Sequence, residues 1–161
     1  MVSVQTNPAE TETPGGRLNL LLSGGSWRDE SWLRSLPTLM EPMGVRAWRA
    51  GAADEAARLI REIPIHIAVV DLALPLLAQS PTAGSEGGVR VLGLLSRLDR
   101  PPPTIILQRT RAGRDEAREL AEALQQGAFA VLRRPVHIDH LLDAFKRILR
   151  RYHENRWPNQ A

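Results

Sequence analysis

Residues Ile67-Ala68-Val69-Val70 set four apolar side chains in a row, and Asp71 follows at once. Successive side chains of a strand point to opposite faces, so a strand with no polar member must be covered on both. That arrangement belongs to parallel sheets with helices packed on each side. The run extends from Ile65 to Val70, and four others share its length: Leu18–Leu22, Val45–Ala50, Thr104–Leu107 and Phe129–Leu132. All five suit strands.

Between these runs the period changes. Ala53, Ala56, Leu59, Ile60 and Ile63 share one helical face, with Arg58, Arg61 and Glu62 outside it. Val91, Leu94, Leu95 and Leu98 form a second stripe, and Ala117, Leu120, Ala121 and Leu124 a third, closed by Gly127 as a C-cap. Ile138, Leu141, Leu142, Phe145, Ile148 and Leu149 form the last. A first helix is expected near Trp32 to Met43, shortened or kinked by Pro37 and Pro42. Strand and helix alternate throughout, which predicts an α/β fold with a five-stranded parallel sheet and helices on both faces.

A chain of 161 residues, 43% hydrophobic and 24% charged, can bury one core, so one domain is expected over 17–152. Residues 1–16, with Pro8, Pro14, Gly15 and Gly16, read as a disordered lead-in without the basic start and apolar stretch of a signal peptide, and 153–161 as a tail. No apolar run is long enough for a membrane span. The chain has no cysteine, so thiol chemistry is excluded and a cytoplasmic location is the expectation. Lys146 is the only lysine; Arg147, Arg150, Arg151 and Arg156 cluster late, as a solvated helix end complementing its dipole. Nucleic-acid binding is not expected, since no recognition motif accompanies them. Leu76 to Gly88, which contains Ser80-Pro81-Thr82-Ala83-Gly84-Ser85, reads as a long loop.

Open α/β sheets bind ligands at the carboxyl ends of their strands. Four places qualify: Ser23-Gly24-Gly25-Ser26, Asp71, Gln108-Arg109-Thr110 and Arg133-Arg134-Pro135. An acid, a hydroxyl and a cation would thus converge beside a glycine-rich turn.

Here the sequence resembles a known family. Asp71-Leu72-Ala73-Leu74-Pro75 is similar to the phosphoacceptor segment of response-regulator receiver domains of two-component signalling. Leu132-Arg133-Arg134-Pro135 resembles the segment in which a lysine precedes a proline after the fifth strand. Gln126-Gly127-Ala128 matches the turn before that strand, and Gly88, Val91 and Leu94 the family's third helix. The resemblance covers about Leu18 to Tyr152. It implies the flavodoxin-like (βα)5 receiver fold with strand order 2-1-3-4-5, Asp71 as candidate phosphoacceptor, and phosphate or switch contacts from Gln108, Thr110 and Arg134. An acyl phosphate would form by attack of the carboxylate, whereas the plain structural reading of Asp71 is an aspartate that ends a strand and caps a turn.

Three departures mark a degenerate member. Ser23, Gly24 and Gly25 stand where the family carries paired acids that hold Mg²⁺. One carboxylate is a poor site for that ion, so Mg²⁺ is expected to bind weakly or not at all, and no cofactor is expected. Asp29 and Glu30 could reach back only by rearranging the loop. Arg134 replaces the lysine, and a planar guanidinium is not an ammonium. Gln108 aligns with the family's switch Ser or Thr, with Thr110 nearby.

The leading expectation is a stand-alone pseudo-receiver, not an enzyme. It would contact a histidine kinase, a phosphotransfer protein or another signalling protein through helix four, strand five and helix five, with homodimer formation on the same surface as a further option. No output domain is expected after Tyr152, where a short tail remains. One alternative is phosphorylation of Asp71 with atypical metal dependence. Another is a small phosphate- or nucleotide-binding enzyme on the same architecture. Ser23-Gly24-Gly25-Ser26 could cradle an anion at a helix N-terminus, but without a fuller phosphate-loop pattern a plain turn is expected. His137 and His140 have the spacing of helical metal ligands but no third partner, so a solvated first turn is expected. His66 is expected to be a half-buried strand residue. Trp27, Trp32, Trp48 and Trp157 are expected to pack, the first two beside the lost acid site.

Overall fold

The structure, a computed structural model, describes residues 18–24, 31–78, 87–108, 114–133 and 136–152. The side chains of residues 31–33, 114–116, 119 and 120 lie outside that description. The elements run β1 (Leu18–Ser23), α1 (Ser31–Met40), β2 (Val45–Ala50), α2 (Ala53–Glu62), β3 (Ile67–Asp71), α3 (Gly87–Ser96), β4 (Thr104–Gln108), α4 (Arg114–Gln125), β5 (Ala130–Arg133) and α5 (Ile138–Tyr152). Every described strand pair is parallel, and the order is β2-β1-β3-β4-β5, as expected.

All five residues of β3 are buried, as its unbroken apolar run requires. Strand alternation divides the core in two. On one face Leu20, Leu22, Ile67, Val69, Ile105 and Leu107 meet Leu36 and Met40 of α1 and Leu141, Phe145 and Ile148 of α5. On the other, Leu21, Ala68, Val70 and Ile106 meet Ala53, Ala56 and Leu59 of α2 and Val91, Leu92 and Leu95 of α3. Each such Leu, Ile or Phe contributes about 1.5–3 kcal/mol by leaving water.

Four strands reach one residue further toward their carboxyl ends than the apolar runs alone predict, β5 through Arg133. Ser23, Asp71 and Gln108 all belong to the ladder, because register with a neighbour keeps a polar residue in the sheet. The third strand begins at Ile67 rather than Ile65, and the fifth at Ala130. His66 is half-buried as expected but precedes β3: its N–H donates to Asn19 O at 2.9 Å while its Nδ1 accepts from Asn19 N–H at 2.9 Å.

The prolines act as predicted. α1 contains Pro37 and stops at Met40, and Pro42 sits in a 3-10 turn over Glu41–Met43. Gly44 closes that turn at φ 85°, a left-handed conformation that favours glycine. Gly127, at φ 86°, ends α4 in the same way.

One helical face differs from expectation. Ala117, Ala121 and Leu124 are exposed, the Leu120 side chain lies outside the described residues, and Ala123 is the α4 side chain packed in the core among those described. Alanine is too small and too weakly apolar to commit a helix face, so the periodic stripe and the packed face diverge.

Candidate receiver site at the carboxyl ends of the strands

Three central strands end in polar residues that are all buried. Ser23 closes β1 at 0% exposure, Asp71 closes β3 at 0% and Gln108 closes β4 at 2%. Register puts Ser23 beside Val70, Asp71 beside Leu107 and Gln108 beside Arg133 of β5. Alternation divides them between the faces. Asp71 follows Ile67 and Val69 on the α1/α5 side, whereas Ser23 follows Leu21 and Gln108 follows Ile106 on the α2/α3 side.

The carboxylate of Asp71 is built into a turn. Its Oδ1 accepts the Ala73 N–H at 2.8 Å, and its backbone carbonyl accepts the Leu74 N–H at 3.0 Å. Leu72 N–H reaches across to Leu107 O at 3.1 Å. The chain then meets α3, whose first two residues are glycines for a steric reason. A Cβ on Gly88 would lie 2.6 Å from Asp71 O and 2.7 Å from Leu72 Cα, and one on Gly87 would collide with Leu74 O and Pro75 O. The third helix therefore abuts the backbone of the Asp71 turn directly.

Where the acids were to be missed, Ser23 carries a hydroxyl whose Oγ is buried without a hydrogen-bond partner among the described residues. Gly24 is buried, and its N–H continues the β1–β2 ladder to Ala50 O at 3.0 Å. The described residues here offer one carboxylate, one hydroxyl and one amide. Mg²⁺ demands an octahedron of hard oxygens and is usually held by one or two carboxylates with waters and substrate phosphates, and the described side chains here supply one carboxylate. Gly25, Asp29, Glu30, Thr110 and Arg134 lie outside the described residues, as do Trp27 and Trp157 and the side chain of Trp32. Of the expected contacts, Asp71 and Gln108 can thus be placed and the other two cannot.

No cluster of three metal-ligating side chains occurs among the described residues. His137 and His140 stand edge to face, 5.5 Å between ring centroids, both exposed at the start of α5. The His137 carbonyl accepts from the N–H groups of His140 and Leu141, a first-turn role. No described helix is long and apolar enough to cross a membrane.

Sequence reasoning passed over two features. One is the steric role of Gly87. The other is a polar cluster at the opposite end of the sheet, where Asn19 Nδ2 donates to Pro64 O at 2.9 Å and Trp48 Nε1 donates to Asn19 Oδ1 at 3.2 Å. A polar Asn19 within an apolar run is the signal that could have found it.

No protein-family model and no curated protein matches the sequence. Solved structures do match. The CheY-like response regulator receiver domain protein of Methanospirillum hungatei JF-1 aligns with a TM-score of 0.66 at 21% identity, over 86% of this chain and 98% of its own. The Francisella response regulator 1452 receiver domain gives 0.62 at 23%, over 84% and 98%. The non-phosphorylated HemR receiver domain of Leptospira biflexa gives 0.63 at 20%, over 83% and 94%. The chain is thus a doubly wound parallel α/β protein. Its fold is that of response-regulator receiver domains.

Proposed function

We propose that this chain is a degenerate receiver of a two-component relay, working in the cytoplasm through protein contact rather than through a metal-dependent phosphorylation cycle. The carrying observation is the pair at the strand ends. A buried serine hydroxyl stands at the expected acid position, and the Asp71 carboxylate serves the turn that follows it. Phosphoryl transfer to Asp71 would bring one anion to another. In receiver domains a divalent ion and a lysine offset that repulsion; here the acids are replaced and Arg134 takes the lysine's place. Loss of metal stabilisation raises such a barrier by several kcal/mol, orders of magnitude in rate.

The partner surface in this reading is α4, β5 and α5, facing a histidine kinase, a phosphotransfer protein or a second copy of the chain. Its support is apolar surface left uncovered: Ala117, Ala121 and Leu124 on α4, and Tyr152 at the end of α5.

The test is intact-mass measurement after incubation with acetyl phosphate, with and without Mg²⁺, on the wild type and Asp71→Asn. Neither protein should gain mass, and Mg²⁺ titration should show no saturation below about a millimolar. Rapid Mg²⁺-dependent modification of the wild type, abolished in Asp71→Asn, would instead establish a phosphorylatable receiver.

A further inference from the structure

The residues after Asp71 are fastened to two helices. Gly87 N–H, at the start of α3, donates to Leu74 O at 2.9 Å. At the start of α2, Ala53 N–H donates to Pro75 O at 2.9 Å and Asp54 N–H to Leu76 O at 3.1 Å. Asp54 Oδ1 completes the join, accepting Ala78 N–H at 3.2 Å and Glu55 N–H at 2.9 Å.

A helix begins with N–H groups that have no acceptor within the helix, and a side chain at the N-cap normally supplies one. The N-cap of α2 is Ala52, which offers no such side chain. Carbonyls from the segment after β3 stand in for it. That segment is held at its other end by the Ala73 N–H on Asp71 Oδ1.

We propose that Leu72–Ala78 is a strap that caps α2 from outside and ties its first turn to the Asp71 carboxylate, with Asp54 as a positioning residue. An event that draws Oδ1 away from Ala73 loosens the strap and withdraws Pro75 O and Leu76 O from α2. A change at Asp71 is then felt on the α2/α3 side of the sheet, away from the α4–β5–α5 surface. The coupling concerns Oδ1 as an acceptor only. It holds whether or not Asp71 takes a phosphoryl group.

Amide hydrogen exchange tests it. Asp71→Ala removes the acceptor, and Asp71→Asn keeps an oxygen in its place. Relative to Asp71→Asn, Asp71→Ala should speed exchange at Ala73, Ala53 and Asp54 by about fivefold, the loss of roughly one net hydrogen bond, and leave Ile148 in α5 unchanged. Asp54 is exposed, so Asp54→Ala is expected to stay folded and carries the test if Asp71→Ala does not fold. By reciprocity that variant should speed exchange at Ala73 as well as Ala78. Acceleration confined to Ala73 in the first variant, or to Ala78 in the second, overturns the proposal.

Discussion

β1 carries two polar side chains on one face, Asn19 near its start and Ser23 at its end, with Leu21 between them. Both are buried, and their surroundings are opposite. Asn19 is saturated: its Nδ2 donates to Pro64 O, its Oδ1 accepts from Trp48 Nε1, and its backbone exchanges bonds with His66. Ser23 Oγ has no hydrogen-bond partner among the described residues. A buried polar group costs stability unless it is bonded, and the described residues supply bonds to the Asn19 side chain and none to Ser23 Oγ.

The largest expected effect lies at the Ser23 end. Gly88→Ala should lower stability by about 2–3 kcal/mol, because the added Cβ meets backbone of Asp71 and Leu72 that cannot swing aside. Gly93→Ala is the control: nothing lies within 4 Å of its Cβ, and a helix-interior alanine should gain about 0.5–1 kcal/mol. Urea midpoints at unchanged m-value would report both.

At the other end, Asn19→Ala strips an acceptor from Trp48 and a donor from Pro64 O, and should cost about 2 kcal/mol. Trp48 fluorescence should shift with it. His66→Leu should cost about 1 kcal/mol, since it leaves the Asn19 N–H without its Nδ1 acceptor. Equal stability of wild type and His66→Leu in urea would remove that ring from the ladder's account.

Ser23→Ala should have the smallest effect and the opposite sign, between no change and a gain of about 1 kcal/mol, because it deletes a hydroxyl that bonds to nothing described. A loss comparable to that of Asn19→Ala would erase the contrast between the two ends.

Much of this was legible in the sequence. The five runs located the strands to within two residues, and the unbroken apolar β3 dictated a sheet covered on both sides. Asp71 was legible because a lone acid closing such a run has few other places to be. Its turn-capping role was legible too, and the Ala73 N–H on Oδ1 bears it out, although which amide it takes depends on a rotamer rather than a residue type. The α4 face was misread because Ala117 and Ala121 satisfy helical periodicity without needing burial. The strap escaped as well: its bonds are backbone carbonyls meeting backbone N–H groups across two elements, and such bonds leave no trace in side-chain identity.

The two outer strands carry a consequence for solution behaviour. Among the described residues β2 and β5 border the five-stranded sheet, and such borders template aggregation unless something blunts them. Exposed Arg46 and Arg49 lie along β2, and exposed Arg133 closes β5. Charged side chains on an edge strand are one such device, because pairing with a second strand would strip their hydration. Extension of the sheet by a further strand is therefore discouraged at both borders.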